Sequence, residues 1–262
     1  MDKPVSHSSN KVLANQGLGN QVSGNQVSGN QVSGNQVLAS LAAADLDWLR
    51  PHLRPIELPQ EMVLFEAGDA INRVIFPHGG IVSLVVELAS GETIEAAMIG
   101  REGAVGGAAA LNSKTSINQA IVQVSGAASA IEVDHLRHLA EQSADVRSTL
   151  LRHEQLVLAQ AQQSAACNAI HTIEARLSRW LLRCRDLVGS EDLALTQEFI
   201  AQMLGVRRTS VSIVANTLQQ AGLIRYKRGH IRILDLDGLS ESACECYATV
   251  KAHSDRLIGA KP

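Results

Sequence analysis

One segment near the C-terminus carries side chains whose types and spacing are suited to binding a charged partner. Residues 199–234 contain six Arg or Lys and no Asp or Glu, although the whole chain has a net charge of −3, so the rest of the chain carries −9. An ordinary solvated helical surface mixes acids with bases. A basic segment without acids instead indicates a polyanionic partner, and nucleic acid is the class that such segments bind most often.

The same segment predicts two short helices joined by a tight turn. Thr196 is suited to cap a first helix that starts at Gln197, and Gly205 ends it. The second helix, RRTSVSIVANTLQQAG, has Val211 among its inward positions and ends at Gly222. This pattern is typical of a helix-turn-helix, whose second helix enters the major groove of DNA.

The outward side chains of the second helix match the groups that the major groove presents. Arginine forms two hydrogen bonds with guanine O6 and N7, hydroxyls reach phosphates or base edges, and isoleucine contacts the methyl group of thymine. The following stretch, LIRYKRGHIRIL, predicts two short strands around Gly229 whose cations would meet phosphates. The candidate DNA contacts are Thr196, Gln197, Arg207, Arg208, Thr209, Ser210, Ser212, Ile213, Lys227 and Arg228.

The elements that would position this site form an α+β chain. Short β-branched stretches separated by Gly-containing turns run from MVLFEAGD to QAIVQVSGAASAIEV and predict an antiparallel jelly roll. A long helix without Gly or Pro follows. Its apolar side, lined by small residues, consists of Leu150, Leu151, Leu156, Val157, Leu158, Ala161, Ala165 and Ala166. Such a side either pairs with a copy of the chain or packs on its own β domain, and both alternatives stay open.

These patterns divide the chain into four segments. Residues 1–37 include a period-five Asn-Gln-Val repeat that predicts a flexible tail. Residues 38–142 are predicted to form the β domain, 143–171 the dimerisation helix and 172–262 the winged helix-turn-helix domain. Neither a signal peptide nor a membrane span is evident, and the four cysteines are expected to be free thiols, which predicts a cytoplasmic protein without a metal.

The segments LFEAGD, FPHGGIVSLV and LTQEFIAQMLGVRRTSVSIVANTLQQAGLI together resemble the Crp/Fnr transcription regulators, from about Leu38 to the C-terminus. The resemblance implies a jelly-roll sensory domain, a dimer helix and a winged helix-turn-helix. It also implies that Thr196 contacts a backbone phosphate and that Arg208 reads a guanine. Two further base-reading positions hold Thr209 and Ile213, where the best-known members have Glu and Arg, so a different operator is expected.

The same resemblance allows the sensory ligand to be considered. Cyclic-nucleotide members use a Gly-Glu pair and a following Arg, and here only Arg101 and Glu102 are candidates for an effector pocket. No Arg or Lys occurs between Lys114 and Arg137, so a cyclic phosphate would lack its cation, and cyclic nucleotides are not expected to bind.

Other sensory groups are not favoured either. The iron-sulfur branch binds its cluster through cysteines that precede the β domain, whereas the first cysteine here is Cys167. For haem, His78 is the single candidate ligand in the β domain, and His135 with His138 lacks a third metal ligand. The signal is therefore left unidentified, and no cofactor is predicted.

The predicted function is that of a dimeric, sequence-specific DNA-binding regulator that could also contact RNA polymerase. The alternative is a ligand-binding module that acts through protein contacts rather than DNA. An enzyme is not predicted, because no nucleophile-base pair, phosphate-binding loop or metal cluster is apparent in the sequence.

Overall fold

The computed structural model describes residues 34–258, and the chain begins there with two short helices against the β domain. Helix α1 spans Gln36–Ser40, α2 spans Ala43–Leu49, and a 3-10 turn follows at Arg50–His52. Asn35 caps α1 and is fully buried, with its amide donating to the carbonyls of Pro77 and Gly103. Most of the predicted tail lies outside the described residues, but its last three residues belong to the fold. The boundary after residue 37 is therefore too late.

Seven antiparallel strands in two sheets form the β domain that the sequence predicted. One sheet has the order β1-β7-β3 and the other the order β2-β6-β4-β5. Between β5 and β6 lies a 3-10 turn at Gly107–Leu111. The strands are β1 Arg54–Leu58, β2 Val63–Phe65, β3 Arg73–Pro77, β4 Ile81–Glu87, β5 Thr93–Ile99, β6 Gln119–Val124 and β7 Gly126–Glu132.

Apolar side chains from the two sheets meet in one core. Ile75 of β3 packs with Val82 of β4 and Val122 of β6, and all three are almost completely buried. Several of these strands are buried along most of their length, as β3 is from Val74 to Pro77, so it is their β-branched residues and the Gly-containing turns between them, rather than strict alternation, that indicate strands in the sequence.

Two helices connect the β domain to the C-terminal domain. Helix α3 spans Val133–Gln142, and after a break at Ser143 helix α4 spans Ala144–Ile170. Ser143 caps α4 by accepting a hydrogen bond from the amide of Val146. A polar cap residue thus ends one helix and starts the next without Gly or Pro.

The two sides of α4 have different surroundings, so packing on its own chain holds for one side, while pairing with a copy of the chain stays a prediction for the other. Leu150 and Leu156 are buried against the rest of the chain. The opposite side carries exposed residues at alternating intervals of four and three, which is the spacing of a coiled-coil seam. This seam consists of Leu151, Gln155, Leu158, Gln162, Ala165 and Ala169.

The C-terminal domain is a helical bundle with a small three-stranded sheet in the order β8-β10-β9. Leu177, Trp180 and Leu181 of α5 lie in its core. The hairpin of β9 and β10 is called the wing below. The elements are α5 Ile173–Val188, β8 Asp192–Leu193, α6 Gln197–Leu204, α7 Arg208–Gln220, β9 Ile224–Lys227, β10 His230–Ile233, α8 Leu236–Ser242 and α9 Cys246–Ile258.

The C-terminal domain packs directly on the four-stranded sheet of the β domain. Trp180 of α5 is fully buried and donates its indole N–H to Glu95 of β5 at 3.0 Å. The core of the C-terminal domain also includes Ile81, Val85 and Met98 from β4 and β5. The two folded domains therefore share one continuous apolar core.

Three of the four cysteines lie close together. Cys244 precedes α9, and Cys246 is its first residue. The turn between them lets both side chains approach Cys167 of α4, and all three thiols are buried. In the part of the chain that the structure describes, no helix is long and apolar enough to cross a membrane.

Candidate nucleic-acid interface

The first helix of the candidate interface, α6, is fixed at both ends by local sequence. Thr196 is its N-cap, and the threonine hydroxyl accepts a hydrogen bond from the amide of Phe199 at 3.2 Å. Gly205 ends the helix with a φ of 61°, in the left-handed region that glycine adopts without strain. A side chain at this position would also collide with Ile94 of β5. Glycine is thus required here both by the turn and by the contact with the β domain.

The second helix, α7, is held by one apolar side. Val211, Ala215 and Leu218 are buried against the domain core. The opposite side is open to solvent and begins with Arg207, the N-cap residue. This arrangement leaves the first turns of α7 available to a partner, as in a recognition helix.

The outward side chains of α7 combine charge, hydroxyls and one apolar group. Arg207, Arg208 and Thr209 are exposed, and Ser210 is half-buried. Ile213 is 68% exposed, so this large apolar side chain faces solvent. An exposed apolar side chain among cations is suited to the methyl group of a thymine.

Two of the predicted contact residues are tied to each other. Ser212 of α7 donates its hydroxyl to the side-chain oxygen of Gln197 in α6 at 2.6 Å. This bond joins the start of the first helix to the second turn of the other. Gln197 and Ser212 therefore fix the relative position of the two helices in addition to lying near the candidate surface.

An acidic residue that the sequence analysis passed over lies next to the key arginine. Glu198, in the first turn of α6, has Oε2 3.7 Å from Nε of Arg208, and both side chains are largely exposed. The basic segment was counted from Phe199, so this carboxylate fell one residue outside it. Glu198 and Arg208 are ten residues apart and lie on different helices, so no helical spacing in the sequence indicates that they pair.

The wing continues the basic surface beside α6. Its two-residue turn, Arg228 and Gly229, has φ values of 48° and 81°, which is the geometry of a tight hairpin turn. A side chain at Gly229 would lie 3.6 Å from the methyl group of Thr196, so the tip of the wing is adjacent to the start of α6. The exposed cations of the wing are Arg225, Lys227, Arg228 and Arg232.

The candidate effector residues are not arranged as an open pair. Arg101 is exposed, whereas Glu102 is buried and forms an ion pair with Arg183 of α5 at 2.8 Å. A sensory role for Glu102 stays a prediction, and it would require this ion pair to open. The pair is itself a contact between the β domain and the DNA-binding half of the chain.

The histidines considered as metal or haem ligands have other partners. His78 lies 2.9 Å from the hydroxyl of Ser129, and burial lowers the pKa of its imidazole. His135 stacks on His52 with ring centroids 3.9 Å apart, while His138 contacts the amide of Gln142. In residues 34–258, His135 and His138 do not come together around a common point with a third ligand.

Comparison with known proteins agrees with the domain order described above. A sequence model of the Crp-like helix-turn-helix domain matches residues 175–242. FixK2 from Bradyrhizobium japonicum has a similar structure, with a TM-score of 0.63 and 17% identity, covering 73% of this chain and 98% of FixK2. No curated protein is significantly similar to the chain in sequence.

Two further solved structures have the same architecture. A CRP-family transcriptional regulator from Thermus thermophilus gives a TM-score of 0.59 at 22% identity, covering 72% of this chain and 96% of its own. The c-di-GMP responsive global regulator CLP from Xanthomonas campestris gives 0.58 at 17% identity, covering 73% and 99%. At identities this low, the structural similarity shows a common fold. The match to the helix-turn-helix model shows in addition that the C-terminal domain is related in sequence to Crp-like domains.

Proposed function

We propose that this chain, which has a Crp-like helix-turn-helix domain on the fold of the Crp/Fnr regulators, is a transcription regulator of that type and binds promoter DNA as a homodimer. It acts in the cytoplasm by binding rather than by catalysis, and RNA polymerase is a further partner. The observation that carries this proposal is the open side of α7, where two arginines and an exposed isoleucine lie together.

The start of α7 reads the base sequence in this proposal. Arg208 donates two hydrogen bonds to a guanine, and Ile213, one and a half turns later, contacts a thymine methyl group. Thr209 and Ser210 supply hydroxyls to neighbouring base edges or phosphates. Arg207, at the N-cap, lies where the helix approaches the backbone and binds phosphate.

The wing and the start of α6 hold the DNA backbone. Lys227 and Arg228 are exposed, and neither forms an ion pair with any residue in the described part of the chain. Thr196 lies beside the tip of the wing, so its hydroxyl and the cations of the wing face one strand of phosphates. These contacts supply affinity and salt dependence but little sequence preference.

The exposed seam of α4 supports dimerisation. Leu151 and Leu158 are 49% and 58% exposed and lie seven residues apart, as equivalent positions in successive heptads of a coiled coil do. A twofold pair of α4 helices buries both and relates two copies of α7. The two half-sites are then about one helical turn of DNA apart, roughly 34 Å.

The residues of the β domain do not suit a cyclic nucleotide. A cyclic nucleotide would need a cation for its phosphate, and Glu102, the candidate for the ribose, is engaged by Arg183. We therefore propose that neither cyclic AMP nor cyclic GMP is the effector. Calorimetry on the purified protein tests this, and micromolar binding of either nucleotide would contradict it.

The test of DNA binding compares variants of α7 and of the wing on specific and scrambled duplexes. Arg208→Ala is expected to cost about 1–3 kcal/mol on the specific duplex and much less on the scrambled one, because it removes a base contact. Lys227→Ala is expected to weaken both duplexes alike and to reduce the salt slope by about one, because it removes a phosphate contact.

A matched control is Arg256→Ala, which removes an exposed arginine from α9, outside the helix-turn-helix. This variant should bind both duplexes as the natural protein does. If Arg208→Ala lowers affinity for both duplexes by the same factor, α7 does not read sequence through this residue. If no duplex binds in a salt-dependent manner, the chain acts through protein contacts and the proposal fails.

A further inference from the structure

Four side chains with metal-binding atoms meet at the end of the long helix. Cys167 and His171 lie one turn apart at the C-terminal end of α4, while Cys244 and Cys246 lie at the start of α9. Their three sulfurs and one imidazole nitrogen all lie within 4.8 Å of one another. Residues 77 positions apart in the sequence, such as Cys167 and Cys244, thus converge on one point.

The separations fit the size of a coordination shell around a single ion. Zinc binds Cys sulfur at about 2.3 Å and His nitrogen at about 2.0–2.1 Å, and a tetrahedron of this size sets two sulfurs about 3.8 Å apart and sulfur and nitrogen about 3.6 Å apart. Cys167 Sγ lies 3.5 Å from Cys244 Sγ, and Cys246 Sγ lies 3.5 Å from His171 Nδ1. Both separations are close to the edges of that tetrahedron.

Burial and ligand number indicate a closed site rather than a catalytic one. All three cysteines are buried, and the side chain of His171 is 21% exposed. Four protein ligands fill a tetrahedral shell and leave no position for water or substrate, which is the arrangement of structural zinc sites. Sulfur and imidazole ligands together also select zinc over magnesium or calcium, which prefer oxygen.

The groups around the four side chains are those that surround a metal-binding shell. His171 directs Nδ1 toward Cys246, while its other nitrogen, Nε2, lies 3.2 Å from the carboxylate of Glu245. A carboxylate on the far nitrogen fixes the tautomer in which Nδ1 is free to bind a metal. Gln163 of α4 donates its amide to the sulfur of Cys246 at 2.9 Å, and such a bond stabilises a thiolate.

We propose that Cys167, His171, Cys244 and Cys246 bind one zinc ion, which fixes the C-terminal helix to the hinge of the long helix. Only His171 and Thr172 separate α4 from α5, so the ion lies at the joint between the dimer helix and the DNA-binding domain. It links this joint to α9, the last helix described. The site does not depend on the proposed DNA contacts, because zinc binding is measured without DNA.

The first measurement is the zinc content of the untagged full-length protein purified in reducing buffer from zinc-supplemented cells. About one zinc per chain is expected by elemental analysis. Replacement by Co²⁺ should give visible bands of tetrahedral intensity together with thiolate-to-metal bands in the near ultraviolet. Less than about one zinc per ten chains, with no thiolate band from Co²⁺, would overturn the proposal.

Matched variants locate the ligands. Cys244→Ser and His171→Ala are expected to lower zinc content at least about tenfold, because each leaves three ligands. The controls are Cys184→Ala, which removes the one described cysteine outside the cluster, and His138→Ala, which removes an exposed histidine. If these controls lose zinc as the ligand variants do, the ion binds elsewhere and the assignment is wrong.

The neighbouring carboxylate gives a finer test that does not remove a ligand. Glu245→Ala should weaken zinc affinity by about 10- to 100-fold in a competition with a chromophoric chelator, because His171 loses its orienting partner. Glu241→Ala, at an exposed position of α8, should leave the affinity unchanged. Equal affinities for these two variants would contradict the role given to Glu245 and His171.

Two other chemistries at these cysteines would be recognised in the same samples. A disulfide between Cys167 and Cys244 would leave two titratable thiols instead of four in the unfolded protein prepared without reductant. An iron-sulfur cluster would give a brown protein containing iron and acid-labile sulfide. Either result in place of zinc would overturn the proposal.

Discussion

Two groups of charged side chains in this molecule have different surroundings. One group is the basic side chains of α7 and the wing, and the other is the ion pair between the β domain and α5. Arg208 of α7 pairs with Glu198 at 3.7 Å, and the two side chains are 65% and 74% exposed. Arg183 and Glu102 are 2.8 Å apart and only 12% and 8% exposed. The first pair is weak and open to exchange with an external anion, whereas the second stabilises the contact between two domains.

Charge therefore has two separate uses in this chain. Exposed cations are visible in the sequence as an imbalance of charge, because residues 199–234 contain no acid, and the acidic partners of Arg208 and Arg232 lie outside this segment and are themselves exposed. Buried charges are balanced by residues far away in the sequence and leave no such imbalance. The DNA-binding side can therefore be inferred from composition, while the contact that would carry a signal between domains becomes visible only in the structure.

The largest effect is expected from breaking the buried ion pair. Arg183→Ala should lower the free energy of unfolding by about 3–5 kcal/mol, because Glu102 is left as a buried charge without its cation. Urea denaturation at neutral pH measures this loss. Arg50→Ala, which breaks an exposed pair with Asp47, should cost less than about 1 kcal/mol.

The same pair offers a second check. Removing both charges with Glu102→Gln and Arg183→Met should restore most of the stability lost in Arg183→Ala, since neither buried charge then remains. A loss below about 1 kcal/mol in Arg183→Ala would mean that water solvates Glu102, and the contrast between the two ion pairs would disappear.

A pH-dependent effect is expected at Glu95, the buried carboxyl that accepts the indole N–H of Trp180. Burial is the main cause that raises its pKa to about 7, while Ser83, Trp180, Arg179 and Arg183 act in the opposite direction. Ser83 Oγ lies 2.6 Å from both Glu95 Oε2 and Gln123 Oε1. The single hydroxyl proton of Ser83 can be donated to only one of these two oxygens. If Ser83 donates to Gln123, a protonated Glu95 can donate to Ser83, and both short contacts are then hydrogen bonds.

The sign of this effect follows from proton binding. A carboxyl whose pKa is higher in the folded state than in the unfolded state holds a proton that the unfolded chain releases, so stability falls as pH rises from about 4.5 to about 7. Glu95→Gln removes this loss. Its free energy of unfolding relative to the natural protein should increase by about 2–3 kcal/mol between pH 5 and pH 8. A constant difference across this range would show that Glu95 is ionised at both ends.

A smaller effect is expected at the exposed pair. Glu198→Gln should raise DNA affinity about two- to fivefold at moderate salt, because Arg208 is released and a carboxylate near the phosphates is removed. Glu241→Gln, at an exposed position of α8, is the matched control and should have no effect. Weaker binding in Glu198→Gln would mean that the carboxylate positions Arg208 for its base contact.

The smallest effect is expected from the N-terminal repeats. Removal of residues 1–34 should change the melting temperature by less than about 1 °C, because these repeats have no pattern that could pack. Asn35→Ala should instead cost about 1–3 kcal/mol, since two buried carbonyls lose their donor. A loss of several degrees on removal of the tail would contradict the sequence-based interpretation.

The regular elements with strong patterns could be predicted from the sequence, and the irregular ones could not. The predicted β stretches correspond to β2 through β7, and the helix-turn-helix is confirmed by the match to the Crp-like domain. Strand β1 was not predicted, because Pro55 lies within it and Pro59 follows it. Proline is tolerated at such a sheet edge, yet it lowers strand propensity in any reading of the sequence alone.

The candidate site divides in the same way. Exposure of Arg207, Arg208 and Ile213 follows from helical periodicity, so these residues could be chosen from the sequence. The pairing of Glu102 with Arg183 joins residues 81 positions apart, and the cysteine cluster joins two segments that no local spacing relates. The spacings Cys-x-x-x-His and Cys-x-Cys were signals in retrospect, but each supplies only half of a metal site.

The seam of α4 has a consequence for how the regulator responds to its own abundance. Of its six residues, two are leucines, two are glutamines and two are alanines, so a pair of helices buries limited apolar area and two amides. Subunits of the proposed dimer that are held in this way are expected to separate on dilution. Occupancy of DNA by the proposed dimer would then rise with roughly the square of the chain concentration at low expression, so a modest change in synthesis would become a steep change in DNA binding.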